Sequence, residues 1–157
     1  MSREEFLARL KKGYALQLEV GMRLLADGFI VKVHPYQEHK SDDYDILCKP
    51  TDGSKWREIE VKGNGKFFTG LDDFPYESIF VETVKRREKR DKPPEFYVIS
   101  SYKTGEALCI HRSTEDDWSS IRTKDTQKNL YDDFLVCPKE LAVSWETMIG
   151  QLRGIVR

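Results

Sequence analysis

The chain has 157 residues, of which 39% are hydrophobic and 34% charged, and its net charge is −1. That length suits one domain spanning residues 1–157 with a real core, polar overall yet with enough aromatic and branched residues to fold. No apolar run approaches the roughly 18 residues that span a bilayer, and Met1-Ser2-Arg3-Glu4-Glu5 lacks a basic-then-apolar leader, so a cytoplasmic protein with no membrane partner is expected. Cys48, Cys109 and Cys137 are odd in number and too widely spaced for a zinc site, which fits reduced thiols. The near-neutral charge does not advertise nucleic-acid binding, although a local basic surface around an acidic centre is compatible with it.

Ser2 and Glu5 have capping-box spacing, and Phe6, Leu10, Tyr14, Leu18 and Leu25 follow near helical periodicity. Gly13 is a weak point in that helix, and Asp27-Gly28 ends it. Residues 29–34 read as a strand with Phe29, Val31 and Val33 on one face. Residues 44–49 and 55–62 read as a β-hairpin, with Pro50 and Asp52-Gly53 supplying the turn. A strand is expected over 79–84, and a second hairpin over 96–102 and 107–112, around Lys103-Thr104-Gly105-Glu106. Thr114 caps a short helix through Trp118 and Ile121, 123–132 is a polar loop, and 134–137 a short strand. Pro138 opens a final helix carrying Leu141, Trp145, Met148 and Leu152. Trp118 and Trp145 read as core anchors.

The first hairpin carries the chemistry. With its loop centred on 51–54, pairing sets Asp45 across from Glu60. Alternation puts Glu58, Glu60 and Lys62 on the side of Asp43 and Asp45, and Ile46, Ile59 and Val61 on the other. Like charges facing each other across about 5 Å are destabilising. A divalent cation between Asp45 and Glu60 turns that repulsion into coordination, and Mg²⁺ favours such oxygen ligands together with substrate phosphate. Lys62 then supplies a point charge beside the attacking water or the phosphate. A solvated polar strand face, with Lys62 paired to Asp43, is the other reading of the same residues.

Asp45 followed by Glu60-Val61-Lys62 resembles the motif of the PD-(D/E)XK nuclease superfamily, an acid on one strand and (D/E)-X-K on the next. Tyr44 stands where the eponymous proline would be. The resemblance implies a restriction-endonuclease-like α/β fold, a mixed central sheet flanked by helices, opening with a helix and three strands. It implies Asp45, Glu60 and the Val61 carbonyl as metal ligands, Lys62 as the catalytic lysine, and Mg²⁺ as cofactor with Mn²⁺ able to substitute. Many members add a helical carboxylate, for which Glu19 is the candidate. Gln17, two residues away, faces another direction, so the two cannot both be ligands.

After Lys62 the superfamily places a helix before its next strand, whereas Gly63-Asn64-Gly65, Asp72, Asp73 and Pro75 oppose a regular helix here. The segment resembles small phage-type members in which Thr69-Gly70 leads into a strand ending in Glu82. That makes Glu82 a second acidic candidate, unless it alternates outward. Asp42 and Asp43 read as loop and hairpin residues.

For substrate contact, residues 85–92 hold six basic side chains in eight. Lys85, Arg86, Arg87, Lys89 and Arg90, with Lys66, are the candidate nucleic-acid contacts, although such a run also reads as a solvated helix end. Phe67 and Phe68 in the 63–70 loop either stack on bases or tuck onto the core. His34, His39 and His111 are scattered, and no nucleophile elbow, phosphate loop or dedicated DNA reader stands out. The expected function is a metal-dependent endonuclease acting on DNA, with RNA left open as substrate, in phage or bacterial DNA processing, with a homodimer also open. A catalytically inactive nucleic-acid-binding module and an acidic protein-interaction domain are the alternatives.

Overall fold

The computed structural model describes residues 2–35, 44–53, 55–125 and 128–154. Helix α1 (Arg3–Ala26) opens with the expected capping box: the Ser2 hydroxyl accepts from the Glu5 amide, and the Glu5 carboxylate accepts from the Ser2 amide. It runs unbroken through Gly13. One interior glycine costs a helix about 1 kcal/mol, too little to interrupt six turns packed along a sheet. Leu16, Gln17, Val20, Gly21 and Leu24 form its buried stripe. A Cβ on Gly21 would lie 2.7 Å from Val33 Cγ2, so glycine is what lets the helix sit close on the sheet. Asp27 closes the helix, and Gly28, with φ +93°, turns the chain into the first strand.

Strands β1 (Phe29–Val33), β2 (Ile46–Pro50) and β3 (Arg57–Asn64) form an antiparallel meander. Strand β5 (Phe96–Ser101) lies parallel beside β3, and β6 (Ala107–His111) pairs antiparallel with β5, giving a mixed five-stranded sheet in the order β1-β2-β3-β5-β6. One face packs on α1 and on α3 (Trp145–Leu152), burying Val20, Leu24, Ile46, Ile59, Val98 and Met148. The opposite face is covered by a second sheet, β4 (Ser78–Thr83), β8 (Leu130–Pro138) and β7 (Ser119–Asp125), in the order β4-β8-β7. Phe68, Phe74, Ile79, Tyr97, Ile99 and Ile110 fill the space between them. Because β5 lies between both cores, all six of its residues are buried.

The architecture is α/β with a mixed central sheet and flanking helices, and it opens with a helix and three strands as the sequence suggests. Several expectations further on are corrected. The strand expected over 79–84 is present as β4, in the second sheet, but Val84 itself opens a five-residue helix, α2 (Val84–Glu88), that the sequence did not suggest. The helix expected from Thr114 is a 3₁₀ segment, Arg112–Asp117, and Ile121 belongs to β7. The loop expected over 123–132 is largely the two arms of a hairpin. Strand β7 is exposed at nearly every position, so it lacks the apolar alternation that marks a strand, and its order comes from the ladder to β8. Pro138 ends β8; α3 starts seven residues later, capped by Ser144.

Trp145 is buried in the first core with its indole donating to Asp27 Oδ2 at 2.7 Å, while Trp118 packs against the second. Both act as anchors. The three cysteines are free and buried. Among the described residues no helix is long and apolar enough to cross a membrane.

Candidate active site

Asp45 directly precedes β2. The β2–β3 register pairs Ile46 with Ile59 and Leu47 with Glu58, and one further step sets Asp45 against Glu60, as the hairpin geometry suggested. The Asp45 carboxylate turns across to β3, where Oδ2 accepts from the Val61 amide at 2.8 Å. Its carbonyl accepts from the His34 amide at 2.8 Å and from Gln17 Nε2 at 2.9 Å. Gln17 Nε2 also donates to the His34 carbonyl at 3.0 Å. A buried amide on α1 thereby clamps the chain at the position of Asp45.

The helical carboxylate named from the sequence, Glu19, is not brought to this cluster. Glu19 is exposed, because two positions along a helix is more than half a turn. Gln17 holds the inward position, and only the buried stripe of α1, read together with Leu16 and Val20, could have signalled it.

Glu60 is 1% exposed. Three cations converge on its Oε2: Arg90 Nη2 at 2.8 Å, Lys62 Nζ at 3.4 Å and Arg86 Nη2 at 3.4 Å. Among the described residues its Oε1 has no hydrogen-bond partner. Beside it Glu82, also buried, accepts from the Tyr97 hydroxyl and lies 3.7 Å from Arg86 Nε and 3.8 Å from Arg90 Nη2. A bulge between Phe80 and Glu82 lets consecutive residues, Val81 and Glu82, both turn inward. Simple alternation, which suggested an outward Glu82, fails for that reason.

The electrostatics separate the two acids of the motif. Burial works against an ionised Glu60, but Lys62, Arg90 and Arg86 outweigh it and hold the carboxyl down at about 2. For Asp45, burial and then the neighbouring Glu60 push the carboxyl up to about 6, against the Val61 amide and Lys62. The carboxylate face is therefore neither open nor uncompensated. Glu82 of β4 and the arginines of α2 and the turn after it close over Glu60, and those arginines supply much of the counter-charge.

Those arginines came from the basic run expected to contact nucleic acid. Arg90, with its side chain 4% exposed, is withdrawn from any such surface because it is the closest partner of Glu60. Arg86 is mostly buried between Glu60 and Glu82, and Arg87 pairs with Glu115. Lys85, Lys89 and Lys66 remain exposed. Asp42, Asp43, His39 and any pairing of Lys62 with Asp43 lie outside the described residues.

The donor set suits a hard divalent cation. Asp45, the orphaned Glu60 Oε1 and the Val61 carbonyl are all oxygen donors on adjacent strands. A buried carboxylate oxygen without a partner costs on the order of 1–3 kcal/mol, which a bound cation would relieve. Among the described residues no three His, Cys, Asp or Glu side chains gather as a metal-binding group, so water or substrate phosphate would complete the shell.

No protein-family profile matches the chain, and no curated protein does so. Among solved structures the chain is similar to Hjc, a Holliday junction resolvase from Archaeoglobus fulgidus, at 10% identity and a TM-score of 0.48, over 87% of this chain and 97% of that one. It is also similar to D212, a nuclease from a fusselovirus, at 11% identity and a TM-score of 0.45, over 97% of this chain and 88% of that one. Likenesses this distant carry no functional argument, so the function has to be read from the residues of the site.

Proposed function

We propose that this chain is a metal-dependent nuclease of the PD-(D/E)XK type that hydrolyses phosphodiester bonds in DNA. The observation that carries the reading is the joining of Asp45, Glu60 and Lys62. Asp45 is fixed on the Val61 amide, and Lys62 Nζ stands 3.4 Å from the buried Glu60 carboxylate. Mg²⁺, or Mn²⁺ in its place, would be held by Asp45, Glu60 and the Val61 carbonyl, where it would activate water and offset phosphoryl charge. Lys62 offers a point charge at the edge of the site for the scissile phosphate or the attacking water. Gln17 keeps the Asp45 backbone in place. Arg90 holds Glu60 ionised and oriented, and Arg86 adds charge between the two buried glutamates. Lys66, Lys85 and Lys89 are the surface cations available to the DNA backbone.

A second reading draws on one observation. Glu60 already has three cationic partners, so the cluster is compensated without a metal, as in a binding module that has lost catalysis. One experiment separates the two. Labelled duplex, single-stranded and branched DNA and RNA are incubated with Mg²⁺, Mn²⁺ or EDTA, using wild type, Asp45→Asn and Lys62→Ala. Metal-dependent cutting that falls by about a hundredfold or more in both variants is expected. Binding without cutting under every metal condition moves the assignment to the inactive module.

A further inference from the structure

The chain leaves the proposed centre at the end of β3, where Lys62 is followed by Gly63 and Asn64. The segment 65–77 that comes next has no regular structure but is tightly tied. Phe68 is fully buried, and its carbonyl accepts from Thr104 Oγ1 at 2.6 Å. The Lys66 carbonyl accepts from Ser101 Oγ at 2.7 Å, and the Asp73 carboxylate accepts from the amides of Thr69 and Gly70 and from the Thr69 hydroxyl.

So anchored, the loop still leaves Phe67 62% and Tyr76 52% exposed. Holding a phenylalanine in water forgoes the burial that drives folding, without any backbone looseness to excuse it. Across the same strand end Tyr102, 38% exposed, lies against Gly63, where a Cβ would fall 2.0 Å from the ring. Two of these rings carry an ammonium group. Lys12 Nζ sits 3.9 Å from the Tyr102 centroid, and Lys66 Nζ sits 5.6 Å from that of Tyr76.

Exposed aromatic faces interleaved with lysines match one ligand chemistry well, unpaired nucleobases on a phosphate backbone. A duplex hides its base faces inside the stack. An acidic protein surface would call on the lysines and leave the rings unused. We propose that Phe67 and Tyr76 are a stacking platform for unpaired bases, with Lys66, and Lys12 over the neighbouring Tyr102 ring, neutralising the flanking phosphates. The platform presents single-stranded or frayed DNA to Asp45, Glu60 and Lys62. In naming a destination it rests on the nuclease reading, but its binding is measurable apart from cleavage.

The test is fluorescence anisotropy in EDTA with a labelled oligothymidylate and a blunt duplex of the same length. Wild type is compared with Phe67→Ala, Phe67→Trp and Tyr76→Ala. Phe67 is exposed, so its changes spare the core; Tyr76 also meets the buried Phe74 edge-on at 6.0 Å, so thermal melts check that its variant stays folded. Phe67→Ala is expected to weaken oligothymidylate binding about tenfold, the scale of one lost base stack, with duplex affinity essentially unchanged. Phe67→Trp should retain single-strand affinity. Equal losses on both DNAs, no loss on the single strand, or wild type binding neither would overturn the platform. A protein that grips oligothymidylate through Phe67 yet cuts nothing keeps the platform and loses the nuclease reading. One that cuts DNA with no effect at Phe67 does the reverse.

Discussion

The two motif acids titrate in opposite directions, and this gives the site a pH signature of its own. Asp45 is raised from 3.8 to about 6, so between those values the folded protein binds a proton that the unfolded chain does not. Its contribution to stability is present at low pH and lost as pH rises through the folded value. Glu60 behaves oppositely. It is lowered from 4.5 to about 2, so its contribution is present above 4.5 and lost on acidification through the folded value. Between about pH 5 and pH 6 the Asp45 effect stands alone. The metal-free protein should gain on the order of 1 kcal/mol of stability from this residue between about pH 7 and pH 5, and Asp45→Asn should remove that gain. Denaturant unfolding at several pH values measures it, and equal pH slopes for the two proteins would refute it. The register of Asp45 and Glu60 was legible from the sequence because hairpin pairing is a matter of counting. The arginine partners were not, since a charge run in sequence does not reveal which members fold inward.

At the level of elements, close approach decides where glycine is needed. Gly13 and Gly21 both lie inside α1, but only Gly21 faces the sheet. Among the described residues nothing lies within 4 Å of a Cβ built on Gly13, whereas one on Gly21 meets Val33 Cγ2 at 2.7 Å. Gly13→Ala should therefore stabilise the protein by about 0.5–1 kcal/mol through helix propensity. Gly21→Ala should destabilise it by about 1–3 kcal/mol, because a β-branched neighbour cannot swing aside and the helix must lift from β1. Paired thermal melts decide this, and like signs for the two changes would contradict the packing described. Periodicity revealed α1, β1 and both main hairpins, since each has an apolar face. It missed β7, most of whose side chains are in water, and left Glu82 open between inward and outward, because the bulge that turns it inward breaks the alternation.

For the molecule as a whole, the two sheets are completed at different points along the chain. The sequence conveyed the first layer well. The second was hard to foresee because its central strand, β8, makes pairings on both sides that no local pattern announces. Every strand of the sheet bearing Asp45 and Glu60 is in hand by His111, but β4 waits for β8, which begins at Leu130. During synthesis the strands of the first sheet can therefore pair before β4 finds β8, while α3, which packs the opposite face of that sheet, emerges last. The same order should show in the mature protein as a hierarchy of local opening. Backbone amides of β7 and β8 should exchange with deuterium sooner than those of β5, which is buried along its whole length. Uniform protection across both sheets would mean that the layers close as one cooperative unit. With the hierarchy in place, Glu82 is the acid of the cluster tied to the looser layer, since β4 pairs with β8, while Glu60 belongs to the firmer sheet beside β5.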